Sequence, residues 1–293
     1  MKRTLIAAAL SMLIADVADA QQLPTASPKG QVEQIVGLTN VTVEYNRPSM
    51  RERAIFGDLV PFDQVWRTGA NKCTTIEFDG PVKIEGNDIG AGKYSIFTIP
   101  GNEVWVVIFN KNTELWGEGD RKEEEDVLTV KVNALRCDPT ETFTMGFDNV
   151  KDDRASLQMR WERTLVSVAI EADATERALA NIKEATAKPD ADFRVFHASG
   201  RFLVDRGLMP EEALRLTQKS VDLDKRFWNL HSLALAYAAN GRYKEAIATA
   251  QESLAMSEKA EYPAYVKMNQ EKIAEWGKAQ SAKPADRGGM RGR

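Results

Sequence analysis

The sequence predicts an α+β protein of two domains, an N-terminal antiparallel β-sandwich followed by C-terminal α-helical repeats. Three observations carry this reading: apolar residues alternate with period two from about Gln31 to Glu171, the period becomes helical and alanine-rich beyond Glu171, and the second half repeats a helix, glycine turn, helix pattern. The chain has 293 residues, 43% hydrophobic and 28% charged, which suffices for packed cores and excludes full disorder. A net charge of -4 gives no reason to expect nucleic acid as partner. Two histidines and two cysteines in the whole chain exclude most zinc sites and most histidine-based catalysis, so neither metal nor cofactor is expected.

Taken in order, Lys2 and Arg3 precede an apolar run from Leu5 to Ala15, and Ala18-Asp19-Ala20 offers a small-x-small site. This predicts a signal peptide over 1–20, cleaved after Ala20, and a periplasmic or secreted mature chain with no later membrane span. Residues 21–30, with Pro24 and Pro28, read as a linker, and 31–171 as the β domain. Its strands are expected around Val41 to Tyr45, Thr74 to Phe78, Val82 to Glu85, Tyr94 to Ile99, Val104 to Phe109, Val127 to Val132 and Phe143 to Phe147. Leu157 to Trp161 and Val166 to Ile170, separated by Glu162-Arg163, read as a hairpin. Short strands separated by Gly, Asn and Pro turns, with no helical crossover, indicate antiparallel pairing.

The helical domain is expected over 172–280. In Leu230-x2-Leu233-Ala234-x2-Tyr237-x3-Gly241-x-Tyr243-x2-Ala246, large and small residues alternate at the spacing that lets two antiparallel helices pack closely around a glycine turn. This resembles a tetratricopeptide repeat, with Ala234, Tyr237, Gly241 and Ala246 at its packing positions. A weaker unit precedes it, in which Gly207 and Ala213 take the turn and small positions and Pro210 opens the second helix. The resemblance implies a groove for a protein or peptide. Thr175 to Ala187 and Tyr262 to Gln280 read as flanking helices, and the arginine- and glycine-rich residues 281–293 as a disordered tail.

Motifs for catalysis are incomplete. Gly90-Ala91-Gly92-Lys93-Tyr94 falls short of a phosphate loop, because Gly86 lies one residue too far away and Tyr94 replaces the metal-binding hydroxyl. The β domain has no histidine, and His197 and His231 fall on repeat helices, where packing is the simpler role. Cys73 and Cys137 either form a disulfide, as export permits, or stay as two small buried residues.

One segment is dense in arginine and aromatic residues: Tyr45, Arg47, Pro48, Arg51, Arg53, Phe56, then Trp66-Arg67-Thr68-Gly69-Ala70-Asn71. Together with Gly92-Lys93-Tyr94-Ser95-Ile96-Phe97-Thr98-Ile99-Pro100-Gly101, Trp105 and Trp116-Gly117, it resembles the bacterial exported family called domain of unknown function 2911. The resemblance covers roughly Pro24 to Ala134 and implies a secreted β-sandwich, sometimes joined to helical repeats, with no established reaction. Met50-Arg51-Glu52-Arg53 departs from the family's usual Lys-Gly-Arg, so either Arg51 or Arg53 corresponds to its arginine. Two functions are carried forward. The first is an exported non-catalytic binding or adaptor protein, with a protein or peptide in the repeat groove. The second is a hydrolase or carbohydrate-active protein that takes a small anionic or sugar-like ligand in the β domain, with Arg47, Arg51, Arg53, Arg67 and Asn71 as polar groups and Trp66 as a stacking platform.

Overall fold

A computed structural model describes residues 23–282; the expected signal peptide and residues 283–293 of the expected tail lie outside them. The chain divides into two compact units, which meet in sequence at Ala174 and Thr175.

Among the described residues, the first unit is an antiparallel sheet region of nine strands: β1 (Lys29–Val36), β2 (Thr39–Asn46), β3 (Thr74–Phe78), β4 (Val82–Ile84), β5 (Asn87–Ile89), β6 (Gly92–Ile99), β7 (Val104–Asn110), β8 (Asp126–Lys151) and β9 (Arg154–Glu171). Their spatial order is β1-β2-β3-β6-β7-β8-β9-β4-β5. Alternation in sequence becomes alternation in burial: in β2 Val41, Val43 and Tyr45 are buried, while Asn40 is exposed and Thr42 and Glu44 are half-buried. One apolar core takes Val43 and Tyr45 from β2, Trp105 and Phe109 from β7, Phe143 and Met145 from β8 and Leu157 and Trp161 from β9. Each such side chain contributes about 1.5–3 kcal/mol on burial.

Two expectations about these strands are corrected. The linker ends early, because Lys29 and Gly30 already pair with Asn46 and Tyr45 at the start of β1. The strands at Leu157 to Trp161 and Val166 to Ile170 are one continuous β9, not a hairpin. Glu162, at φ 56°, lies opposite Thr140 where the β8–β9 register shifts, so its left-handed backbone makes a bulge within a strand instead of a turn. The hairpin is β8 to β9, where Lys151 pairs with Arg154 around Asp152 and Asp153.

Among the described residues, the second unit has six helices: α1 (Thr175–Ala187), α2 (Phe193–Arg206), α3 (Pro210–Leu223), α4 (Phe227–Ala239), α5 (Tyr243–Lys259) and α6 (Pro263–Ala282). Local chemistry sets their ends. The Asp192 carboxylate accepts from the Arg194 and Val195 amides and caps α2; Gly207, at φ 63°, terminates it; Pro210 opens α3. Packing is repeat-like, with Gly200 of α2 against Ala213 and Thr217 of α3, and Ala234 of α4 clustered with Ala246 and Ala250 of α5. Ser281 and Ala282 still belong to α6, where the Ser281 hydroxyl donates to Gly277 O, so the helix runs two residues past the expected start of the tail.

Candidate functional site

The singled-out arginines of the β region do not share one environment. Arg47 leaves the end of β2 and donates from Nε to Phe143 O (3.3 Å) and from Nη2 to Thr144 Oγ1 (3.0 Å), so it ties β2 to β8. Arg51 donates to Ala26 O (3.3 Å), and its own amide donates to the Glu141 carboxylate (2.9 Å). Arg53 folds back on its own turn, with Nε donating to Met50 O and Nη2 to Ser49 O, both at 2.8 Å.

Arg67 differs. Its Nε stands 3.4 Å from Glu118 Oε2, an ion pair, yet makes no hydrogen bond despite being buried. The guanidinium lies over Gly117, whose missing side chain would come within 3.3 Å of Nη1. Gly117 is at φ 103°, so the glycine serves both the backbone and this close approach.

The loop carrying Arg67 is held at both ends. Trp66 bridges to Thr98 through two backbone hydrogen bonds (2.7 and 2.9 Å), and the Cys73 amide donates to Leu115 O (3.0 Å). Between them Thr68, Gly69 and Asn71 all have positive φ. Thr68 is a β-branched residue, fully buried, at φ 56°, a conformation costing about 1–3 kcal/mol. Its hydroxyl bonds Thr98 Oγ1 (3.1 Å), and its carbonyl accepts from the Thr74 hydroxyl (2.5 Å), which fixes the strained backbone.

This loop forms one wall of an open cavity of about 430 Å³. Arg53, Trp66, Arg67 and Asn71 reach it, together with Trp116, Glu118 and Trp161; Arg47 and Arg51 do not. Trp66 and Trp161 stack beneath it with ring centroids 5.8 Å apart, whereas Trp116 is 74% exposed. Asn71 and Trp116 also border a second cavity of about 380 Å³, beside Glu44, Lys29 and Lys93. There the Lys29 and Lys93 ammonium groups hold the Glu44 carboxyl below its usual range. Trp116 and Glu118 were missed as site residues. Their signal in the sequence was an aromatic beside a glycine in a polar stretch after a strand, which becomes informative only once that stretch is seen to face Arg67.

The disulfide is not formed. Cys73 and Cys137 are free: Cys73 is buried in a small cluster with Phe97, Ile108 and Leu115 and lies 3.0 Å from Ser95 Oγ, while Cys137 sits in β8 at the register shift between Arg136 and Thr140. Among the described residues no group of three or more His, Cys, Asp or Glu could hold a metal, and no helix is long and apolar enough to cross a membrane.

In the helical region Ala213, Ala234 and Ala246 are fully buried, Gly207 and Gly241 have φ 63° and 70°, and the Tyr237 hydroxyl donates to Gln218 Oε1 (3.0 Å). The histidines join alternate helices. His197 Nε2 on α2 lies 2.9 Å from Ser232 Oγ on α4, and His231 Nδ1 on α4 lies 2.8 Å from Asn269 Oδ1 on α6. Burial pushes His197 down to about 4, helped by the Arg201 charge, and burial also lowers His231. Both are neutral packing groups at pH 7. Around them aromatic rings meet across the same three helices: Phe193 with Trp228 at 5.7 Å, and Tyr265 with Phe227 at 5.1 Å and with His231 at 5.5 Å.

Residues 27–170 match the family described as protein of unknown function (DUF2911). No curated protein and no solved structure matches the chain. The DUF2911 match covers β1 to β8 entirely and β9 up to Ile170, and includes every residue lining the cavity at Arg67, while α1 to α6 lie outside it.

Proposed function

We propose that this chain is an exported, non-catalytic binding protein, in which a DUF2911 β-sandwich carries a tetratricopeptide-like region that holds an extended segment of a partner protein. The observation that carries the reading is a repeat of side-chain roles at one spacing. Phe193 and Phe227, His197 and His231, and Gly207 and Gly241 are each 34 residues apart (227 − 193 = 231 − 197 = 241 − 207). Each histidine reaches the next helix of the row α2, α4, α6, and each phenylalanine carbonyl accepts a serine hydroxyl from the following helix, Ser220 to Phe193 O (2.8 Å) and Ser253 to Phe227 O (2.6 Å). Such stacking gives three helices one shared face.

That face suits a peptide because its aromatic rings are only half-buried, and Tyr262 is 49% exposed. Rigid aromatic side chains bind with little loss of side-chain entropy. The periplasmic or secreted location rests on the signal-peptide pattern of residues 1–20. Selection from a random peptide library on the immobilised full chain tests the function. Enriched peptides should lose about tenfold or more in affinity with Trp228→Ala or Tyr265→Ala, the cost of removing one aromatic anchor. Failure to enrich any peptide, or peptides indifferent to both substitutions, would contradict it.

A further inference from the structure

The geometry points to a second binding site, independent of the helical face: the cavity at Arg67 takes a small monocarboxylate with a flat, hydroxyl-rich body, of the sugar-acid class. The argument begins with an arginine whose hydrogen-bonding capacity is left over. Arg47, Arg51 and Arg53 direct donors to backbone carbonyls or a threonine hydroxyl, whereas no hydrogen bond from the Arg67 guanidinium is made among the described residues. Its buried Nε makes no hydrogen bond and the guanidinium has only the ion pair with Glu118 at 3.4 Å, and a planar guanidinium matches a carboxylate with two parallel hydrogen bonds.

The fork is also held ready. Gly117 packs against it, Trp66 is bridged to Thr98 directly before it, and the left-handed Thr68 directly after it is locked by its hydroxyl. Backbone strain retained in a loop that faces a cavity is a mark of a functional position, and prior ordering lowers the entropic cost of binding.

The other walls choose the body of the ligand. Trp116, 74% exposed at the rim, offers a ring face on which the C–H face of a sugar can lie. Glu118 accepts hydrogen bonds only, so it suits hydroxyl donors and opposes additional negative charge, which selects a monoanion over a phosphate dianion. Asn71 adds an amide at the same wall, and a volume of about 430 Å³ falls in the range of small-ligand sites.

D-Glucuronate is the probe, with D-glucose and inorganic phosphate as comparators, titrated into the full chain by calorimetry and by tryptophan fluorescence. The expected result is saturable glucuronate binding at least tenfold tighter than either comparator, with a change in tryptophan emission. Arg67→Lys keeps the charge and loses the fork, and Trp116→Ala removes the exposed ring. Each should weaken glucuronate by about tenfold or more, since charge-assisted pairs and stacked rings contribute on that scale. Trp116→Ala serves as the second test should Arg67→Lys fold poorly, because so exposed a side chain adds little to the core. Glucuronate binding no tighter than glucose, phosphate binding tighter than glucuronate, or glucuronate affinity unchanged in Trp116→Ala would each overturn the assignment.

Discussion

The hydroxyl of Tyr45 binds both sides of the Met145 backbone: it donates to Met145 O (3.2 Å) and accepts from the Met145 amide (3.0 Å), across 100 residues of sequence. Tyr45 is 3% exposed and Met145 2%, so no solvent can replace these bonds. Tyr45→Phe keeps the ring and strands a buried donor and acceptor, which should cost about 1–3 kcal/mol. Thermal unfolding should register this as a fall of about 2–4 °C per kcal/mol in a unit of this size. An unchanged melting temperature would show that the bond is not part of what holds β2 to β8.

Gly200 and Gly277 both lie within helices, and they predict opposite outcomes for the same substitution. A methyl group at Gly200 would meet Thr217 Cγ2 at 2.6 Å and Thr217 N at 2.9 Å, and the backbone atom cannot give way. Gly200→Ala should destabilise the α2–α3 pair by about 1–3 kcal/mol, the range for overpacking, despite alanine's better helix propensity. At Gly277 a methyl group would meet nothing within 4 Å among the described residues outside the helix's own backbone, so Gly277→Ala should stabilise α6 by about 0.5–1 kcal/mol. Denaturation followed by helical circular dichroism compares them, and shifts of the same sign would contradict the packing described.

Thr68 earns its left-handed backbone through its hydroxyl. Thr68→Ala keeps the unfavourable φ of 56° and removes the bond to Thr98 Oγ1, and should cost about 1–3 kcal/mol. Thr68→Gly loses the same bond but relieves the backbone, so it should be the milder of the two. If alanine were tolerated better than glycine on chemical denaturation, strain at this position would not be the governing quantity.

The pH dependence of the helical region follows from His197, which burial holds at about 4 against an ordinary 6.5. Between these values the unfolded chain takes up the proton and the folded chain does not. Stability from this group is therefore complete above pH 6.5 and declines as pH falls toward about 4. His231, also lowered by burial, acts in the same direction. His197→Gln presents a non-titrating group to Ser232, so its melting temperature should fall less steeply between pH 6.5 and 4.5 than that of the parent. Parallel slopes would show that His197 is protonated in the folded chain.

Local signals carried much of the architecture into view. Alternation at Val41, Val43 and Tyr45, the glycines at 207 and 241, and Pro210 each act through one or two neighbours, and each marks an element that is present. The hairpin misreading at Glu162 has the opposite cause: a left-handed residue ends a strand or bulges within it according to what pairs across, and the pairing partner Thr140 is 22 residues away (162 − 140). The site was legible in part for a similar reason. Density of arginine and tryptophan located the loop, but whether an arginine is spent on Phe143 O, as Arg47 is, or left facing Glu118, as Arg67 is, depends on strands far along the chain. Trp116 and Glu118 enter only through that long-range arrangement.

Hydrogen exchange on the full chain, with and without a saturating peptide from the library selection, tests the proposed function most directly. The account predicts slowed exchange over α2, α4 and α6, centred on Phe193 to Arg201, Phe227 to Leu235 and Tyr265 to Lys272, with β1 to β9 unaffected. Protection confined to the β region, or to α3 and α5 with that three-helix face unchanged, would contradict it.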